Sequence, residues 1–171
     1  ALGELSGASD EISFQRRQRL RLEQDFAIFA RAYPHIYQIR YLNAQGREVV
    51  RVDRRDGQTY VVPEMELQDK SDRYYVNETM KLKPGEIYIS PLDLNIESGK
   101  IEYPEKPVIR FGTPVADGTG VVRGLLIVNL HAEILLDQIQ QLAEVRGGIA
   151  YLVNAYGFYL SRSVQKASSS I

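Results

Sequence analysis

The chain has 171 residues, enough for one domain or one domain and part of another, and a hydrophobic fraction of 44% suffices for a sizeable core. Its 21 basic and 22 acidic residues leave a net charge of −1, so composition makes no case for binding nucleic acid or acidic surfaces in general. The absence of cysteine excludes a disulfide framework, a thiolate metal site and a cysteine nucleophile, and with no apolar run near ~18 residues, neither a membrane span nor a signal peptide is expected.

Residues 1–10 are small and polar and read as a frayed start. From 11 to 33 there is no proline or glycine, and Phe14, Leu22, Phe26, Phe29 and Tyr33 recur at steps that place them on one helical face. Asp10 is the expected N-cap and Pro34 the stop. Arg16, Arg17, Arg19, Arg21 and Glu23 occupy the other face, which reads as solvated or membrane-proximal rather than nucleic-acid-binding.

Residues 37–42 and 48–53 are rich in β-branched and aromatic side chains and flank Asn43-Ala44-Gln45-Gly46, a hairpin signal. A loop is expected around Asp56-Gly57. Residues 64–82 read as punctuated helix or loop, ended by Lys83-Pro84-Gly85. Three more strands are expected at 86–90, 107–115 and 121–130, the last two joined through Asp117-Gly118-Thr119-Gly120. The last is apolar on both parities (Val122, Leu126 and Val128 against Leu125 and Ile127), as a central strand covered on both faces is. Residues 132–145 turn helical, and Gly147-Gly148 ends them. Leu152-Val153-Asn154-Ala155-Tyr156-Gly157 echoes Tyr41-Leu42-Asn43-Ala44-Gln45-Gly46, as if a second similar unit begins there, and 166–171 is a serine-rich tail.

This order predicts an α+β fold with a five-stranded antiparallel sheet, the long N-terminal helix on one face and the insertion between the second and third strands over the other. A cavity beneath such an insertion is where a small ligand would bind. Residues 1–34 are expected to form the helix, 35–146 the sheet domain, and 147–171 the start of a second unit or an extension.

The runs Tyr37-Gln38-Ile39-Arg40-Tyr41-Leu42 and Glu48-Val49-Val50-Arg51-Val52 resemble the first hairpin of double Cache (tandem PDC, PAS-like) sensor domains. Residues 67–75 resemble their helical insertion, and 87–95, 107–115 and 124–130 their third, fourth and fifth strands. The resemblance covers roughly residues 14–160. It implies a PAS-like, periplasmic, membrane-distal sensing unit of a bacterial transmembrane receptor feeding a histidine kinase, diguanylate cyclase or chemotaxis output. In the amino-acid-binding branch an arginine and an aromatic of the insertion hold the ligand carboxylate, and an aspartate late in the fifth strand holds the amino group. Arg73 and Tyr75 match the pair, but Asn129 stands in the aspartate's place. A neutral amide accepts from an ammonium without the charge that strengthens the bond, so a small carboxylate is expected ahead of a free amino acid.

Arg110 lies mid-strand among apolar residues, where a buried guanidinium needs either a structural carboxylate or a ligand anion. Arg73 offers the same bidentate geometry. Tyr75 and Tyr88 offer hydroxyls and ring surface, or simply core. Ser90 and Asn129 are polar groups in apolar strands that need partners if buried, and Asp93 either orients an arginine or starts a turn.

Other readings fail on spacing. The oxygen ligands of 93–97 lack the glycine and glutamate of a calcium loop, Ser98 and Pro104 standing at those positions. His35 and His131 have no second ligand at metal spacing, and no nucleophile elbow is present. No cofactor, metal or catalytic group is expected. The partners expected are a small molecule, no nucleic acid, the membrane only through flanking spans, and a second copy for which the N-terminal helix offers a face. The alternative is a ligand-free module that dimerises or binds a periplasmic protein.

Overall fold

A computed structural model describes residues 2–146, 149, 151–153 and 159–162. The elements in chain order are helix α1 (Leu2–Ala32), strands β1 (Ile36–Asn43), β2 (Glu48–Arg55) and β3 (Gln58–Val61), helix α2 (Tyr74–Met80), strands β4 (Tyr88–Ile89), β5 (Asp93–Leu94), β6 (Ile96–Glu97), β7 (Lys100–Ile101), β8 (Pro107–Ala116) and β9 (Val122–His131), helix α3 (Glu133–Arg146), and strands β10 (Tyr151–Val153) and β11 (Tyr159–Arg162). They fall into two compact units, residues 1–89 with 110–130 and residues 90–109 with 131–171. The fold is α+β, as the sequence predicts.

The first unit is an antiparallel sheet in the order β3-β2-β1-β9-β8-β4. Strand β9 sits between β1 and β8, the central place its double apolar parity predicts. Asp56 and Gly57, at φ 49° and 77°, turn β2 into β3, which pairs from Arg55↔Gln58 to Val52↔Val61. The stretch expected to be a loop is thus the tight turn of an added edge hairpin. The expected strand at 86–90 shortens to β4: Glu86 N is taken up by Lys83 O in the turn before it, and Pro91 after it cannot donate to a ladder.

Helix α1 begins at Leu2, not after Asp10, so Asp10 lies inside the helix and is not its N-cap. Residues 2–10 contain no proline, and each added residue closes another backbone bond, which outweighs the ~1 kcal/mol cost of each glycine. Phe26 and Ala30, one turn apart, bury against Ile36, Ile39, Val50 and Val52, with Leu22 packed at the margin. The rest of the predicted apolar stripe stays open: Phe14, Phe29 and Tyr33 are 54%, 46% and 53% exposed. Helix α1 lies along β1, β2 and β3, so side chains angled toward β8 and β9 reach past the surface it covers.

Arg54 fastens this packing. Its Nη2 donates to Ala30 O in the last turn of α1, its Nε to Ile36 O at 3.3 Å and its Nη1 to Gly57 O at 2.8 Å. One guanidinium satisfies a helix-terminal carbonyl, the start of β1 and the β2–β3 turn.

The β8–β9 turn is held by Asp117. Its Oδ1 accepts from Thr119 Oγ1 at 2.6 Å, Thr119 N at 2.9 Å and Val121 N at 3.2 Å, and its Oδ2 accepts from Arg123 Nε at 2.7 Å. The Thr119 hydroxyl first, then Arg123 and the turn amides, hold the carboxyl well below the ordinary carboxylate range.

In the second unit, β5 pairs Asp93 with Val108 and Leu94 with Pro107, so Asp93 stands in a strand. Strands β6 and β7 form a hairpin, and Asn95 Nδ2 donates to Glu97 Oε1 and Glu102 Oε2, each at 3.0 Å. Strands β10 and β11 pair antiparallel. The echo motif at 154–157 and the serine-rich tail lie outside the described residues.

Two outcomes follow. Arg54→Ala is expected to lower unfolding free energy by about 1–3 kcal/mol and to speed amide exchange in the last turn of α1 while β9 stays protected, read by urea titration and hydrogen exchange. A carbon-13 titration of Asp117 should show it still ionised near pH 4. With the folded-state pKa depressed, its contribution is full above the unfolded value and fades as pH falls toward the folded one, and Asp117→Asn should abolish that acid dependence.

Candidate functional site

Side chains alternate across β1. Ile39 and Tyr41 face the α1 core, and Gln38, Arg40 and Leu42 face the other side. The registers Gln38↔Asp53, Arg40↔Arg51 and Leu42↔Glu48 with β2, and Gln38↔Asn129, Arg40↔Ile127 and Leu42↔Leu125 with β9, complete three rows of that second face. The irregularity at Tyr41/Leu42 moves Glu48 into line with Arg51 and Asp53.

The face is buried and charged. Arg40 and Arg51 stand opposite one another across the strands, which is unfavourable unless a carboxylate lies between them. Glu48 supplies it, with Oε1 2.9 Å from Arg40 Nε and Oε2 3.8 Å from Arg51 Nη1. Arg51 also grips Asp53 bidentately, Nε to Oδ1 at 2.7 Å and Nη2 to Oδ2 at 2.9 Å, and Arg55 Nη2 approaches Asp53 Oδ2 at 3.2 Å. Gln38 Oε1 accepts from Arg40 Nη2 at 2.5 Å and from Asn129 Nδ2 at 2.9 Å. Among the described residues, four buried cations (Arg40, Arg51, Lys70 and Arg110) accompany two buried carboxylates, Glu48 and Asp53.

The insertion is tied to the sheet at the β1–β2 turn. Glu48 N donates to Gln68 O and Gln68 N to Glu48 Oε2, each at 2.9 Å, and Lys70 N donates to Gly46 O at 3.0 Å. Gly46, at φ +81°, takes a conformation L side chains rarely adopt, and a Cβ there would lie 2.8 Å from Ser71 Cα. Helix α2 then lays Tyr75 and Val76 on Leu42, Leu125 and Ile127, with Tyr88 packed beside them.

Of the predicted site residues, Arg110, 1% exposed, sits with its guanidinium 4.8 Å above the Tyr75 ring, and its Nη1 donates to Tyr74 Oη at 3.4 Å. Burial first, then Glu78, raises the Tyr88 hydroxyl above its ordinary value, with Arg110 and Lys81 opposing, so Tyr88 remains a donor at neutral pH. Arg73 occupies the N-cap position of α2, half-buried, with Nε shielded from solvent and without a hydrogen-bond partner among the described residues. Asn129 is fully buried and its amide is engaged by Gln38. Arg73, Tyr75, Tyr88, Arg110 and Asn129 belong to the first unit. Ser90, whose Oγ donates to Pro91 O at 2.7 Å, and Asp93 belong to the second.

Sequence reasoning missed Gln38, Arg40, Glu48, Arg51, Lys70 and Tyr74. A polar parity in a strand reads as solvent-facing whether water or an inserted segment covers it. Among the described residues no three His, Cys, Asp or Glu side chains gather as metal ligands, and no helix is long and apolar enough to cross a membrane. A separate apolar cleft of about 360 Å³ opens between Phe29 of α1, Tyr33 just beyond its end, and Phe111, Val128 and Leu130 of the sheet.

Residues 12–168 match the family described as bacterial histidine kinase, sensor domain, and the chain belongs to it. The solved domain of a Vibrio parahaemolyticus protein assigned to the sensory box/GGDEF family is 26% identical, with a TM-score of 0.74, over 92% of this chain and 63% of that one. The extracellular domain of vpHK1S-Z8, assigned as a histidine kinase, is likewise 26% identical with a TM-score of 0.74, over 92% and 60%. The ligand-binding domain of the Campylobacter jejuni chemoreceptor Tlp3, in complex with 4-methylisoleucine, shares the fold at 11% identity and a TM-score of 0.59, over 92% and 62%. The chain spans less than two thirds of each of these domains. No curated protein matches it. The chain is an extracytoplasmic sensor domain of the bacterial receptor type, the class its sequence resembles.

Removing Glu48 tests the charged face. Glu48→Ala leaves two arginines facing each other in the interior and is expected to cost about 3–5 kcal/mol in urea unfolding.

Proposed function

We propose that this domain is a non-catalytic sensor that binds a small carboxylate on the polar sheet face beneath the insertion and passes occupancy to an output module through α1. In this reading residues 1–34 are the signalling helix, 35–146 the membrane-distal sensing unit and 147–171 the opening of a second, similar unit. The output is a histidine kinase, diguanylate cyclase or chemotaxis module.

The observation that carries the reading is the pair of guanidinium groups beside α2, one buried and one half-buried. Arg110 is stacked on Tyr75 and donates to Tyr74 Oη, and Arg73 has a shielded Nε at the helix start. A planar carboxylate is the partner that fork geometry suits. An ammonium would need a carboxylate in return, and both buried carboxylates are already ligated, Glu48 by Arg40 and Arg51, Asp53 by Arg51 and Arg55. Asn129 offers an amide already donating to Gln38. An amino acid therefore fits this face less well than a simple carboxylate.

A thermal-shift screen against mono-, di- and tricarboxylates and amino acids tests this. A ligand at about 100 times its Kd should stabilise the domain by ~2.7 kcal/mol. Arg110→Ala and Arg73→Ala should remove the response while circular dichroism stays native. Loss of folding in both variants would mark the two arginines as structural instead, and a response confined to amino acids would overturn the reading of Asn129.

A second reading rests on the apolar cleft, whose edges Phe29 and Tyr33 are half-exposed at ring centroids 4.7 Å apart. In it the domain dimerises or docks a periplasmic protein through α1. Sedimentation equilibrium decides the dimer, since Phe29→Glu would then convert it to monomer.

A further inference from the structure

Gly112 is a buried strand residue whose backbone lies outside the left-handed region, so conformational freedom does not explain a glycine there. Contact does. A Cβ built on Gly112 overlaps Thr79 Oγ1 and stands 3.0 Å from both Thr79 Cγ2 and Ile127 Cδ1. Thr79 is fully buried in α2, and its hydroxyl donates to Tyr75 O at 2.7 Å, one turn back. Ile127 yields by changing rotamer. Thr79 yields only if the helix moves or its own hydrogen bond to the helix backbone is lost.

The position of this contact gives it meaning. Gly112 follows Arg110 by two residues on the same face of β8, and Thr79 follows Tyr75 by four in α2. The Gly112–Thr79 contact and the Arg110–Tyr75 stack are therefore successive rungs of one strand–helix interface. Gly112 is also the register partner of Tyr88. The other end of the insertion is pinned to the turn at Gly46, so a push at Thr79 displaces α2 where it crosses β8.

We infer that Gly112 is a positioning residue for the anion site: its missing side chain sets the height of α2 over β8 and so the placement of Tyr75 and Arg73 relative to Arg110. The binding part of this inference rests on the carboxylate reading above, and the geometric part does not. A methyl group at 112 lifts the helix by on the order of 1 Å, because a packed interior has no room to absorb it. A charge-assisted site misplaced by that much loses its bidentate contact.

The test compares the wild type with Thr79→Ala, Gly112→Ala and the double variant. One readout needs no ligand: the nitrogen-15 Nε–Hε signal of Arg110, shifted by the Tyr75 ring current and assigned by its disappearance in Arg110→Lys. The other is calorimetric titration with succinate and with pyruvate. Gly112→Ala is expected to move the Arg110 signal toward its unstacked position and weaken carboxylate binding about tenfold or more. Thr79→Ala should leave both near wild type, and the double variant, with the space vacated for the new methyl, should restore both to within about threefold. An unmoved Arg110 signal in Gly112→Ala, or a folded double variant as defective as the single one, overturns the inference. If Gly112→Ala alone does not fold, the double variant decides: recovery of fold and signal supports the role of Thr79, and failure of either removes it. If wild type takes neither carboxylate, the Arg110 signal still decides for Gly112 while the ligand reading loses its support.

Discussion

Burying arginines in the middle of a sheet constrains every element around them. A guanidinium withdrawn from water must recover its lost hydration from hydrogen bonds and opposite charge, and few arrangements supply both. Arg40 is one of the most buried large side chains of the domain, and it faces Arg51 across the β1–β2 ladder. The bulge at Tyr41/Leu42, the placement of Glu48 between the two guanidinium groups, the bidentate Arg51–Asp53 grip and the amide link from Gln38 to Asn129 are together the solution to that one problem. Without the register shift, Glu48 would point to the α1 face and the two arginines would have no shared counter-charge.

The same sheet solves an ordinary problem on its other side. Ile39, Val50 and Val52 present an apolar surface to Phe26 and Ala30, and this burial is the non-directional driving force that holds α1. A protein needing only stability would do better with both faces apolar, since replacing buried ion pairs by packed hydrocarbon is often neutral or stabilising. The division of labour in β1 sets Ile39 and Tyr41 toward the helix, and Gln38 and Arg40, with Leu42, toward the insertion. The insertion is fixed to that face by small contacts rather than a large core, at Gly46 near its start and Gly112 beneath its helix.

Much of this was legible in the sequence and the rest was hidden for physical reasons. The helix, the β1–β2 hairpin, the central β9 and the α+β class came from apolar periodicity and turn chemistry, which report on neighbours close along the chain. Edge strand β3 is hidden because Asp56-Gly57 suits an open loop as well as a two-residue turn. The start of α1 is not legible at Asp10, because a good N-cap residue does not act as one when the chain before it continues the helix. At the site, Arg110 and Asn129 stand out as polar groups in apolar strands, and Tyr75 through the resemblance of the insertion. Arg40, Glu48 and Arg51 do not: they fall on the parity that ordinarily meets water, and only the cross-strand register reveals that it is covered. Lys70 and Thr79 have no local signal at all, since their burial depends on where the insertion lands.

The two faces meet in strand β2. Asp53 points into the charged face and is held by Arg51, while the next residue, Arg54, points the other way and grips Ala30 at the end of α1 and Ile36 at the start of β1. Adjacent residues of one strand are rigidly related, because alternation is fixed by the backbone. Any rearrangement of the Arg51–Asp53 pair that shifts β2 therefore acts on the Arg54 clamp, with no need for a chain of intermediate contacts through the apolar core. Carbonyl acceptors suit such a joint. They are bound directionally by the guanidinium fork yet carry no net charge, so the clamp can change geometry without exposing an ion pair to an apolar interior. The mechanical link between the charged face and the helix on the other side is then a single strand, two residues long at its narrowest point.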